Sequence, residues 1–104
     1  MRAPKVVRSS EAQNDIRRLY AWIALESGAV RARAVLQRLD QTISRLALRP
    51  GLGRRRTDFE NEPSSFTVSP WLIIYRPLPD GDGIRILRII DSRRDVAAPF
   101  GKKS

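Results

Sequence analysis

A chain of 104 residues has room for one domain, with a core large enough to stand without disulfides or metal. It contains no cysteine and no histidine, which excludes disulfides, thiolate chemistry, the usual zinc sites and imidazole acid–base catalysis together. Its net charge of +9 is carried almost entirely by arginine, whose planar fork suits carboxylate and phosphate partners.

That charge implies a nucleic acid or a nucleic-acid machine as partner, or an acidic protein that neutralises the surface; solvated arginines from a G+C-rich genome are the plain alternative. No apolar run approaches the ~20 residues of a membrane helix, and the charged N-terminus has no apolar segment behind it. The chain therefore reads as soluble and cytoplasmic, with no membrane partner and no cofactor.

Val6 and Val7, between Lys5 and Arg8, predict a short opening strand. Ser10 followed by Gln13 has the form of a capping box and starts a first helix. Along it Ile16, Leu19, Tyr20, Ile23 and Ala24 recur as one apolar stripe, with Trp22 off the stripe. Gly28 is placed to end this helix in the left-handed conformation. Val35, Leu36, Leu39, Ile43 and Leu46 keep helical spacing in a second helix until Pro50-Gly51 stops it. So short a link makes the two an antiparallel αα-hairpin. Arg31, Arg33, Arg38, Arg45 and Arg49 are spread around the second helix, as on a solvated surface.

From Pro50 to Pro63 the composition is that of a loop, with a short strand near Thr57 to Phe59. Arg54-Arg55-Arg56 are followed by Asp58, Glu60 and Glu62, so a phosphate-binding patch and local ion pairing are equally open. Phe66 and Val68 lead into Trp71 to Arg76, a strand that Pro70 breaks or bulges because it cannot donate to a ladder.

Trp71 to Asp95 is the clearest hairpin: two β-branched runs flank Pro77-Leu-Pro-Asp-Gly-Asp-Gly83. In its second run Ile84, Ile86 and Ile90 alternate with Leu87 and Ile89, as in a central strand covered on both faces. That strand delivers Arg93-Arg94-Asp95 to the sheet edge, and Val96 to Phe100 is apolar enough to dock. Residues 1–100 form the domain and 101–104 a frayed tail.

The order of elements predicts an α+β fold: a small twisted, mainly antiparallel sheet with an N-terminal αα-hairpin packed on one face. The other face is left to loops and polar groups, open to a partner. Arg76, Arg85 and Arg88 come from its strands.

The Tyr75-Arg76 strand end, the turn, the apolar strand and Arg93-Arg94-Asp95, behind a helical hairpin and Pro50-Gly51-Leu52-Gly53-Arg54, resemble the RelE/ParE toxins of bacterial type II toxin–antitoxin systems. The resemblance covers nearly the whole chain. It implies the same α+β fold, a small acidic cognate antitoxin, and one of two targets.

In the ribonuclease branch, which cuts messenger RNA on the ribosome, the resemblance implies an arginine three residues before the strand tyrosine, an arginine after the last strand, and a tyrosine or histidine near the C-terminus. Here Leu72 and Phe100 stand at the first and third positions, and Arg94 keeps the second. Leucine and phenylalanine cannot move the protons that RNA cleavage requires. Tyr75, Arg76 and Arg94 are the residues such an enzyme would use, and Tyr75 and Asp91 the remaining proton carriers.

The ParE branch, whose members poison DNA gyrase without covalent chemistry of their own, is resembled more closely. For it a contact surface is implied, with Trp22, Arg76, Arg88, Arg93, Arg94 and Phe100 as candidates. Trp22 is equally open to core packing, and Arg94 with Asp95 to a structural ion pair. A decayed toxin serving only as a basic binding module is the third reading.

Overall fold

The computed structural model describes residues 3–93. Strand β1 (Lys5–Arg8) leads into helices α1 (Ser10–Ser27) and α2 (Ala29–Leu48), then a 3-10 turn (Pro50–Leu52). Strands β2 (Arg54–Arg55), β3 (Ser64–Val68), β4 (Trp71–Pro77) and β5 (Gly83–Asp91) follow. They form one sheet in the order β1-β5-β4-β3-β2, with β1 parallel to β5 and every other neighbour antiparallel. The fold is α+β, as the sequence predicts, with β5 flanked on both sides.

The helical hairpin covers one face of the sheet. Ala12, Leu19 and Ile23 of α1, with Ala32, Leu39, Ile43, Leu46 and Ala47 of α2, meet Trp71, Ile73, Tyr75, Ile84, Ile86 and Ile89 in one buried cluster. Gly28 both ends α1 and precedes α2; its φ of 90° is positive as expected, but its ψ of 163° lies outside the left-handed helical region. The start of α1 is shifted from the capping box read at Ser10. Ser9 is the extended residue, and its Oγ accepts from the Ala12 N–H at 3.0 Å while donating to the Leu87 carbonyl at 2.8 Å.

The loop from 50 to 63 also differs in detail. Its two-residue strand is Arg54–Arg55, paired with Ser64 and Ser65, whereas Thr57 and Asp58 turn and Phe59, a single bridge residue, is fully buried. Pro70 separates two strands rather than bulging one: with Ser69 it makes the two-residue turn between β3 and β4. Its carbonyl accepts from both the N–H and the hydroxyl of Ser92, each at 2.8 Å, tying the end of β5 to that turn.

One inserted residue sets which side chains of β5 face where. Tyr75 pairs with Ile86 and Ile74 with Arg88, leaving Leu87 as a bulge. Past it the phase changes: Ile89 joins Ile84 and Ile86 on the helix side, while Leu87 and Ile90 pack against Phe59, Leu72 and Ile74 on the far face. Ile90 therefore does not share a face with Ile84 and Ile86, because a period of two holds only along an unbroken ladder. The far face itself, expected to be left to loops and polar groups, is apolar at its centre.

Candidate functional site

β1 reaches only as far as Ile86, and the rest of that β5 edge meets α1 instead of a strand. Ser9 donates its N–H to the Ile86 carbonyl at 3.0 Å, and Asp15 Oδ2 accepts from the Ile89 N–H at 3.0 Å. Arg88 folds round the same edge to grip both oxygens of Asp15, at 2.7 and 3.0 Å. The carboxylate keeps the guanidinium protonated, raising its pKa through the hydrogen bond first and charge second. Arg88, a contact candidate, is thus engaged in the fold, and Asp15 is the partner that the sequence reading missed. Its position between Ala12 and Leu19 on the buried stripe was the available signal, since a carboxylate there must be paired.

Tyr75 is fully enclosed. Its hydroxyl donates to the Pro50 carbonyl at 2.6 Å and accepts from the Gly53 N–H at 2.8 Å, and burial pushes its pKa up. This phenol fastens the Pro50–Gly53 turn to β4 and cannot serve as an accessible proton carrier. A Cβ on Gly53 would strike that hydroxyl and come within 2.8 Å of the Ser65 carbonyl oxygen, so the approach requires glycine. Arg76 donates to the Asn61 carbonyl at 2.6 Å and fixes the loop over the far face.

The arginine triplet is divided by its acidic neighbours. Arg56 stacks 4.2 Å above the Phe59 ring and pairs with Asp58 at 2.8 Å; Arg55 pairs with Glu62 at 3.2 Å. The hydrogen bond from Arg56 lowers the Asp58 pKa to about 2. Ion pairing accounts for these two arginines, while Arg54, opposite Ser65, stands exposed.

Two surfaces among the described residues combine exposed or half-buried apolar side chains with basic ones that a partner can use. On the far face Leu72, Ile74, Leu87 and Ile90 form an apolar floor, with Leu87 and Ile90 only half-buried. Arg76 and Arg85 stand directly opposite each other across β4 and β5, a like-charge juxtaposition that an anionic partner would relieve. The second surface lies on the helical hairpin. Trp22 is 52% exposed and meets Trp71 edge-on, with ring centroids 6.5 Å apart and planes at 82°. Trp71 pairs across the sheet with Asp91, which binds Arg93 at 2.6 and 2.9 Å. Trp22 and Arg93 thus share one end of the sheet, and Arg94, Asp95 and Phe100 lie outside the described residues.

Among the described residues no group of three or more His, Cys, Asp or Glu can hold a metal ion, and no helix is long and apolar enough to cross a membrane.

The chain is a helical hairpin laid on a five-stranded sheet, with arginine-flanked apolar surfaces. Solved toxin–antitoxin proteins share this fold. The chain resembles one from the chromosomal ParDE TA system of P. aeruginosa, with a TM-score of 0.71 and 20% identity, covering 86% of this chain and 96% of that one. It also resembles one in the toxin–antitoxin complex RelBE2 from Mycobacterium tuberculosis, with a TM-score of 0.57 and 23% identity over 86% and 99% of the respective chains. Residues 6–96 match the family described as the ParE toxin of type II toxin–antitoxin system, parDE. Toxin ParE3 of Caulobacter vibrioides is 35% identical over 100 residues, 96% of this chain and 98% of that protein. The chain belongs to the ParE family of type II toxin–antitoxin toxins.

Proposed function

We propose that this toxin acts in the cytoplasm by binding and inhibiting DNA gyrase, with no covalent chemistry of its own, and is silenced by a small acidic antitoxin. The observation that carries the reading is the enclosure of Tyr75. The ribosome-dependent ribonuclease alternative would need that hydroxyl at the surface, and here it is spent on Pro50 and Gly53. General acid–base groups contribute about 10²–10⁴-fold each to such a cleavage; with Tyr75 enclosed and Asp91 held by Arg93, the arginines would bind messenger RNA without cutting it.

The antitoxin reading rests on the far face. Its apolar floor and the opposed Arg76 and Arg85 suit a segment that is itself partly apolar and acidic, and a disordered segment could wrap it.

The test adds the purified toxin to gyrase and, separately, to programmed ribosomes. Loss of supercoiling or trapped cleaved DNA is expected from the first, and intact messenger RNA from the second. Codon-specific cuts would move the target to the ribosome. Failure of every neighbouring small acidic protein to bind the toxin and relieve growth arrest would overturn the antitoxin reading.

A further inference from the structure

The helical hairpin ends in apolar side chains that stand exposed. Leu25, in the last turn of α1, is 87% exposed; Val30, in the first turn of α2, is 75% exposed; Trp22 lies one turn before Leu25 on the same side of the helix. Single exposed apolar residues are ordinary, but here three fall between positions 22 and 30, at the end of the hairpin where Gly28 turns the chain. Arg18 stands one turn before Trp22, and Arg31 and Arg33 follow Val30, all exposed. Arg31 does not serve its helix: the first turn of α2 holds no acidic residue, and a cation there opposes the helix dipole.

We infer that this tip, Trp22, Leu25 and Val30 flanked by Arg18, Arg31 and Arg33, grips an acidic protein surface with an apolar recess, and that it is the toxin's hold on its target. The inference rests on the reading of the chain as a protein-directed toxin. Tryptophan and arginine are the residues most enriched where binding energy concentrates, and Trp22 enters pre-oriented by its contact with Trp71. Charge decides between occupants. A second copy would bring Arg18, Arg31 and Arg33 against their own counterparts with only Glu26 of the tip to offset them, which disfavours self-association. A nucleic acid would gain phosphate contacts from the arginines but nothing from Leu25 or Val30. The tip is also separate from the far sheet face, since the hairpin packs on the opposite side.

The experiment uses the full chain with Leu25→Asp and Val30→Asp, singly and together, and with Arg31→Glu/Arg33→Glu. These sites are exposed, so urea midpoints and antitoxin affinity should stay within about twofold of wild type. Growth arrest and gyrase affinity should fall by about tenfold or more, the scale of losing one central anchor. If wild type arrests growth without binding gyrase and the variants still lose the arrest, the tip stands and gyrase does not. Variants that arrest growth as wild type does overturn the tip, whatever gyrase shows. A wild-type chain that arrests nothing overturns the toxin reading, and the tip with it.

Discussion

Arg88 and Asp15, 73 residues apart in the chain, meet in a two-pronged ion pair at the point where β1 stops and α1 takes over the edge of β5. Asp15 also accepts from the Ile89 N–H, so one carboxylate holds a helix, a strand edge and a guanidinium together. Removing it leaves a donor and a cation unsatisfied. Asp15→Ala should cost about 2–4 kcal/mol in urea unfolding, and Asp15→Asn less, because the amide oxygen still accepts from Ile89.

Tyr75→Phe removes the hydrogen bonds to Pro50 and Gly53 and should cost about 1–3 kcal/mol. Growth arrest at a temperature where the variant is folded should persist. Gly53→Ala, which forces a Cβ onto the same hydroxyl, should also destabilise by about 1–3 kcal/mol. Loss of toxicity in a stably folded Tyr75→Phe would return the phenol to a chemical role.

The pH dependence has two limbs. Burial raises the Tyr75 pKa above its ordinary 10.0, so the folded state keeps a proton that the unfolded chain releases. Stability from this group is full below 10 and is lost as pH climbs through the folded value; Tyr75→Phe should flatten the alkaline limb. Asp58 runs the other way: lowered from 3.8 to about 2, it contributes above 3.8 and loses that contribution as pH falls toward about 2. Thermal melts from pH 2 to 11 on wild type, Tyr75→Phe and Asp58→Asn would separate the two.

Ile86 is fully buried under the helices, and Ile86→Ala should cost about 2–5 kcal/mol. Arg33→Ala, on an exposed site, should cost no more than about 0.5 kcal/mol. Leu87, half-buried on the far face, should cost less than Ile86 when changed to alanine, and should weaken antitoxin binding more than it weakens the fold. Equal urea midpoints for all three variants would mean that the faces of β5 have been assigned wrongly.

The period of apolar residues made both helices legible, because burial imposes it over ten or more residues, and the β-branched runs flanking the turn at Pro77 to Gly83 did the same for the main hairpin. Single-residue events were not legible. Leu87 has nothing in its type to mark it as a bulge, yet it reverses the facing of Ile89 and Ile90. Ser9 and Ser10 are equivalent in sequence, and only the extended backbone of Ser9 selects it as cap. The strand at Arg54–Arg55 is too short to carry a pattern. At the candidate site, Arg76 and Arg88 were found by type, but their partners, Asn61 and Asp15, depend on distant chain segments coming together. Leu25 and Val30 lie off both apolar stripes, and that both stand exposed depends on how the hairpin seats on the sheet.

The replacement of a strand by the start of α1 along β5 bears on how the chain behaves before any partner arrives. A sheet recruits another chain through unpaired N–H and C=O groups at its margins, the route to fibrils and domain exchange. Among the described residues the margins are the four residues of β1, the two of β2 and the stretch of β3 from Phe66 to Val68 that β2 does not reach, while the nine-residue β5 is sealed by Ser9 and Asp15 where β1 gives out. Among the described residues, so few free rungs give a second chain little to zip onto.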